Sequence, residues 1–134
     1  MTKHILAMSY KPKIEKVFLG ICCQTIRIQR KKPFEVGDTA TIFEWSGKPY
    51  HSRWGRRLEV EITDVEDIII YDDIVRRRVN EYECENVLWS ELDFLAEADY
   101  IEPPTGEELK KVLTGGKKIP QEGIKMQIIR WREI

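Results

Sequence analysis

Cysteine is scarce in this chain: three residues in 134, two adjacent at Cys22-Cys23 and one alone at Cys84. That count and spacing exclude a disulfide framework. The two histidines, His4 and His51, lie far apart with no C-x-x-C pair beside them, so no metal site is expected. No apolar run approaches the ~18 residues of a membrane-spanning helix. The opening Met1-Thr2-Lys3-His4 has none of the apolar stretch of a secretory signal. The expectation is a cytoplasmic protein with no membrane partner. A P-loop, a dinucleotide fingerprint and a serine-triad motif are also missing, and no cofactor is expected.

An excess of one charge sign is missing too, with a formal net charge of −1. Divided along the chain, the picture changes. Residues 1–62 hold 12 Lys/Arg against 6 Asp/Glu, and residues 63–134 hold 10 against 17. A near-neutral chain can therefore still carry a basic face, and the local field is what a polyanion meets. The composition, 42% hydrophobic and 34% charged with a mean hydropathy of −0.44, is that of a folded domain. The length suits one domain over residues 1–134.

Hydrophobic spacing supplies the elements. His4 to Met8 reads as an opening strand. Ser9-Tyr10-Lys11-Pro12 reads as a helix start, with Tyr10, Ile14, Val17 and Phe18 on one stripe, Lys11, Lys13 and Lys16 off it, and Gly20 as the stop. Gln24 to Gln29 alternates, placing Ile26 and Ile28 toward a core and Thr25 and Arg27 on the other face. Val36-Gly37-Asp38 makes a turn before a strand from Thr39 to Trp45. Residues 46–57 are rich in Gly, Pro and cations and read as an exposed loop. Leu58 to Thr63 alternates again. Residues 65–79 fit two strands, or a strand and a short helix. Ser90 with Asp93, and Thr105 with Glu108, have capping-box spacing before two helical stripes. Ile124 to Arg132 closes the chain as a strand. The class is α+β, a β-rich domain with about three short helices.

The string from Phe18 to Arg27, with Gly20, Thr25 and Arg27 spaced as G-x-x-x-x-T-x-R, followed by Val36-Gly37-Asp38, resembles the ASCH domain family. The later segments Leu92–Tyr100, Thr105–Leu113 and Ile124–Arg132 follow the same family order, while 46–57 and 68–86 look divergent. The resemblance implies a small, partly open PUA-like β-barrel with a positively charged cleft beside the first helix. Family members are mostly described as RNA-binding modules. Some are hydrolases acting on RNA or nucleosides, including ribonucleases and an amidohydrolase that deacetylates acetylated cytidine. The partner implied here is RNA or a modified nucleotide or nucleoside.

Residue by residue, Arg27 would offer a forked donor to a phosphate or base edge. Lys31 and Lys32 would flank the cleft entrance. The loop cations Lys48, Arg53, Arg56 and Arg57, with Tyr50, Trp54 and His51, would attract phosphates and stack on unpaired bases. The amidohydrolases resembling this family join a lysine, a threonine and a glutamate. Their places fall here on Cys22, Thr25 and Asp99, or Glu97 in the last case. At Cys22 a neutral thiol stands where the family has a cation. A thiolate there would need a lowered pKa, and the simpler reading is a small buried hydrophobe. The run Arg76-Arg77-Arg78 reads as a solvated face among acidic neighbours.

Overall fold

The computed structural model describes residues 1–50 and 52–134. Its elements run β1 (Lys3–Met8), α1 (Lys11–Phe18), β2 (Gln24–Ile28), β3 (Thr39–Trp45), β4 (Trp54–Ile70), β5 (Val75–Arg78), β6 (Cys84–Asn86), α2 (Trp89–Ala98), α3 (Gly106–Thr114) and β7 (Ile124–Glu133). Among the described residues, three helices thus accompany one sheet of seven strands, a mixed α+β arrangement in which the sheet does not close on itself. No helix among them is long and apolar enough to cross a membrane.

The organising element is β4. It is one strand of 17 residues, spanning ground that the sequence pattern divides or leaves undecided. One edge pairs antiparallel with β7 along most of its length, while the other edge takes first β3 and then β5. A register shift between Ile62 and Asp64 explains the confusing pattern. One extra residue moves alternate side chains to the opposite face. Before the shift, Val60 and Ile62 join a core with Leu6, Val17, Ile42 and Trp131; after it, Ile68 and Ile70 join a second core with Met126, Leu92 and Leu109. β7 serves both cores by strict alternation, Ile129 and Trp131 to one and Met126 and Ile128 to the other. The first core lies under α1, the second under α2 and α3.

Strand β1 pairs parallel with β3, and β2 pairs antiparallel with β7, which leaves the second edge of each without a strand neighbour. Two guanidinium groups reach across. Arg27 donates to the carbonyl of Ala7, and Arg30 donates to the carbonyl of Ile5 at 2.9 Å. Residues two apart in a strand point their carbonyls to the same edge, so both arginines serve the edge of β1 that faces away from β3. Side chains stand in for the ladder that closure would have supplied.

The Val36-Gly37-Asp38 turn is held by Asp38, whose carboxylate accepts from the N–H of Thr2 (2.9 Å) and of Glu35 (3.0 Å) and meets the His4 ring at 2.8 Å. Burial pushes this carboxyl up, but those donors pull harder and hold it below its ordinary value. Thr105 caps α3 through the Glu108 N–H as its spacing predicts. Two other helix starts differ. Helix α1 is entered through Tyr10 rather than Ser9, and α2 through Leu88 rather than Ser90, neither with a side-chain cap. Asp93 instead accepts from the N–H of Gly106 at 2.7 Å, spending its carboxylate on the start of α3.

Candidate functional site

A cleft of about 540 Å³ opens where the two bridged edges meet, between β1 with α1 and β2, with α3 and the residue after α2 completing its wall. Among the residues lining it are Lys13, Thr25, Arg27, Arg30 and Asp99.

Lys13 is the residue the sequence reading misses. It is 4% exposed, and its Nζ stands 2.7 Å from Asp99 Oδ1. It lies three residues after Tyr10 and four before Val17, on the apolar stripe of α1 rather than off it. A charge inside an apolar stripe was the available signal. Asp99 follows α2 directly and is 3% exposed. Burial pushes its carboxyl above the usual range, against the opposing pull of Lys13, Gln24 and Arg27.

Thr25 and Arg27 share one face of β2, as the alternation predicts. Thr25 is buried, and its Oγ1 accepts from Arg27 Nε at 3.1 Å. Arg27 also points at Met8 Sδ (3.3 Å) and at the Ala7 carbonyl. Its partners are therefore neutral, and among the described residues no carboxylate lies within 4.0 Å of its guanidinium. Burial lowers its pKa, with the neighbouring Arg30 charge adding to the fall. The cleft thus carries three cations against the single carboxylate of Asp99. Ile28, expected in the core, is 63% exposed at its rim, although its backbone still pairs with Met126 of β7.

Cys22 is elsewhere. At 1% exposure it packs among Leu6, Val17 and Ile129, with Sγ directed at the carbonyls of Gln24 and Ala98. Burial raises its pKa, the opposite of what a thiolate nucleophile requires. Glu97 is exposed outside the cleft. Lys31 and Lys32 are exposed beyond the end of β2, and Arg30 takes the lining position instead.

Of the segment 46–57, read from the sequence as a loop, Trp54, Arg56 and Arg57 belong to β4. The three are engaged by the fold around them. Trp54 stacks on Phe43 with centroids 4.1 Å apart, and the Arg57 guanidinium lies 4.8 Å from the Trp54 ring. Arg56 donates to Glu44 and to Glu15, which raise its pKa. Lys48, Tyr50 and Arg53 are exposed; His51 lies outside the described residues. None of the described residues of this hairpin lines the cleft. The structure sets the two groups of candidate binding residues apart.

The three arginines 76–78 also divide. Arg77 is neutralised by Glu66, Glu85 and Glu91, whereas Arg76 and Arg78 fall on the opposite face of β5. Compared with known proteins, the chain matches no family model, no curated protein and no solved structure.

Proposed function

We propose that the chain is a PUA-like domain of ASCH type that holds RNA or a modified nucleotide in the cleft beside α1, acting in the cytoplasm. The observation that carries this reading is Arg27: a guanidinium sunk in a cleft, held in place by neutral acceptors, with no carboxylate within ion-pair distance. A buried charge without a counter-charge is costly unless something else neutralises it. A phosphate is the ligand whose geometry a guanidinium fits in bidentate fashion. Arg30 adds a second cation at the rim.

The test is binding of a labelled structured RNA pool at about 50 and 200 mM salt. Tight binding that weakens with salt, and that falls in Arg30→Ala while the protein stays folded, supports the reading. Arg27→Ala should lose more. Binding that ignores both salt and these substitutions would remove the cleft from consideration.

A second reading, hydrolysis of a nucleoside amide or an RNA linkage, is favoured by Lys13. It supplies to the cleft the cation that Cys22 withholds, beside a carboxylate with a raised pKa and a buried hydroxyl. For an acetylated cytidine, Thr25 Oγ would attack the acetyl carbonyl carbon, its proton passing to Asp99. The ammonium of Lys13 would stabilise the developing negative charge. The C–N bond would then break, with the proton delivered to the departing amine and water releasing acetate from the threonine. Incubation with acetylated cytidine, followed by chromatography for cytidine, tests this. Turnover abolished in Thr25→Ala and in Lys13→Met is the expected result, and no product with the native chain rejects it.

A further inference from the structure

Beyond the cleft, the same face of the sheet continues as an open surface. In the β5–β4–β7 register, Arg76 stands across from Ile69, Ile69 pairs with Lys125, and Asp67 pairs with Gln127, while Arg78, two residues after Arg76 on β5, shares a hollow with Asp67. Paired residues share a face, so Arg76, Arg78 and Lys125 project together on the side away from α2 and α3. Arg76 Nε is buried with no hydrogen-bond partner. Among the described residues, none of these three cations has a carboxylate within 4.0 Å, in contrast to Arg77 behind them with its three glutamates. The one carboxylate in their row, Asp67, accepts from Gln127 Nε2 at 3.0 Å. A hollow of about 220 Å³ lies between Arg78, Lys125 and Asp67, and its wall includes Gln29. Gln29 also lines the cleft, and its backbone N–H is bonded to Lys125 O at 2.9 Å. The two depressions share a wall.

We propose that this face is a second anion subsite, continuous with the cleft over Gln29, and that the ligand is therefore a phosphodiester strand and not a single nucleotide. The inference rests on the cleft reading above and names the length and chemistry of what it holds. The spacing sets that length. From β5 through β4 and β7 to β2 is three strand separations of about 4.8 Å, or ~14 Å. An extended single strand spaces its phosphates more widely than the ~3.4 Å axial rise per strand of a wound duplex, so that span takes about two or three of them. One nucleotide cannot reach both ends. Cations that carry no counter-charge of their own suit an uninterrupted polyanion better than a folded acidic protein surface, whose carboxylates are spaced irregularly.

The experiment compares single-stranded RNA and DNA of roughly ten nucleotides, within the usual range of single-strand sites, with a mononucleotide and a polyglutamate peptide. Each is titrated into the native chain, into Arg78→Ala/Lys125→Ala, and into Lys3→Ala/Arg132→Ala. The last pair removes exposed cations at the far end of the sheet and controls for net charge. Arg78 and Lys125 are exposed, and unchanged circular dichroism and melting establish that the first double variant is folded. The expected result is an oligonucleotide affinity about tenfold weaker in Arg78→Ala/Lys125→Ala. The slope of log K against log[salt] should be shallower by about 1.4, as two phosphate contacts on a single strand require. Mononucleotide binding and the control variant should be unaffected. RNA and DNA arms separate a ribose requirement from backbone recognition alone. Mononucleotide binding with no gain on the longer strand overturns this inference and spares the cleft. Failure of every nucleic-acid probe overturns both, and equal binding of polyglutamate overturns the phosphodiester assignment.

Discussion

Lys13 and Asp99 form an ion pair with Nζ–Oδ1 of 2.7 Å in which both side chains are almost completely withdrawn from water. The pair ties the first helix to the end of the second across 86 positions of sequence. Its two halves are not equivalent. Asp99 can shed its charge by taking a proton, toward which burial already biases it, whereas the lysine cannot leave its apolar stripe.

Breaking the pair from the acidic side should therefore be the more damaging change. Asp99→Ala strands a buried ammonium and is expected to cost about 3–5 kcal/mol. Lys13→Met, which fills the same volume and leaves a carboxyl free to protonate, should cost less. Lys13→Met/Asp99→Leu should be more stable than Asp99→Ala alone. Urea denaturation of the three variants orders them.

Two aspartates should give opposite pH signatures. The Asp38 carboxyl is held below its ordinary value, so the unfolded chain binds its proton more tightly. Its contribution is complete above the unfolded pKa of about 3.9 and is lost as pH falls through the lower folded value. The Asp99 carboxyl is raised, so the folded chain holds that proton more tightly. Its contribution is complete below about 3.9 and declines as pH rises from there through the folded value. Melting of Asp38→Asn and Asp99→Asn across the acid range checks this. The native chain's margin over the first should grow as pH climbs toward about 4 and then level off, and its margin over the second should shrink as pH rises above about 4.

Arg27→Lys should not rescue Arg27→Ala. A guanidinium holds Thr25, Ala7 and Met8 at once in a fixed fork, and a single ammonium cannot. Each charge-assisted bond contributes about 1.5–3 kcal/mol, so both variants should melt well below the native chain. Hydrogen exchange at the β1 amides should quicken in both.

Thiol labelling should sort the three cysteines by burial. Cys84 is exposed and should be alkylated first. Cys23, half-buried with its pKa raised by burial and the nearby Glu133 charge, should lag behind it. Cys22 should react only on unfolding. Early modification of Cys22 in the native protein, detected by mass spectrometry, would place its thiol outside the core.

Gly106 is packed so closely that a Cβ would meet Leu92 Cβ at 2.7 Å and the Trp89 ring at 3.2 Å. Gly106→Ala should therefore cost about 1–3 kcal/mol by forcing α2 and α3 apart, despite the better helix propensity of alanine. A urea midpoint unchanged from the native chain would contradict the close approach.

What the sequence shows and what it hides divide along physical lines. Thr105 toward Glu108, and Asp38 toward Glu35, act within three residues and their spacing announces them, whereas the contacts of Asp38 with Thr2 and His4 cross to the opening of the chain and leave no local signal. The strand alternation that places Thr25 and Arg27 on one face is equally local. Lys13 is misread in position as well as in role: the sequence reading sets it off the stripe of α1, and the partner that holds it inside lies on another element. The extent of β4 was hidden by its bulge: a pattern that changes face midway mimics two elements, and the strand read as ending at Thr63 runs on through the partly buried Asp64, Glu66 and Asp67. The engagement of Arg56 with Glu15 and Glu44 likewise depends on a fold that brings α1, β3 and β4 together. A cation-rich segment in one dimension reads as available charge, and in three dimensions it can be spent.

The arginines laid against the free edge of β1 bear on how copies of this chain behave toward one another. An open sheet offers rows of unpaired carbonyl and N–H groups, which recruit strands from other molecules into aggregates. Here one edge is occupied by the guanidinium groups of Arg27 and Arg30, and β6, where the sheet ends on the other side, spans only the three residues Cys84–Asn86. The residues that make the cleft cationic also cover an edge that would otherwise be open to a strand of another copy. Removing both arginines would bare that edge of β1 to incoming strands, so edge protection is a constraint on positions 27 and 30 that is separate from any ligand.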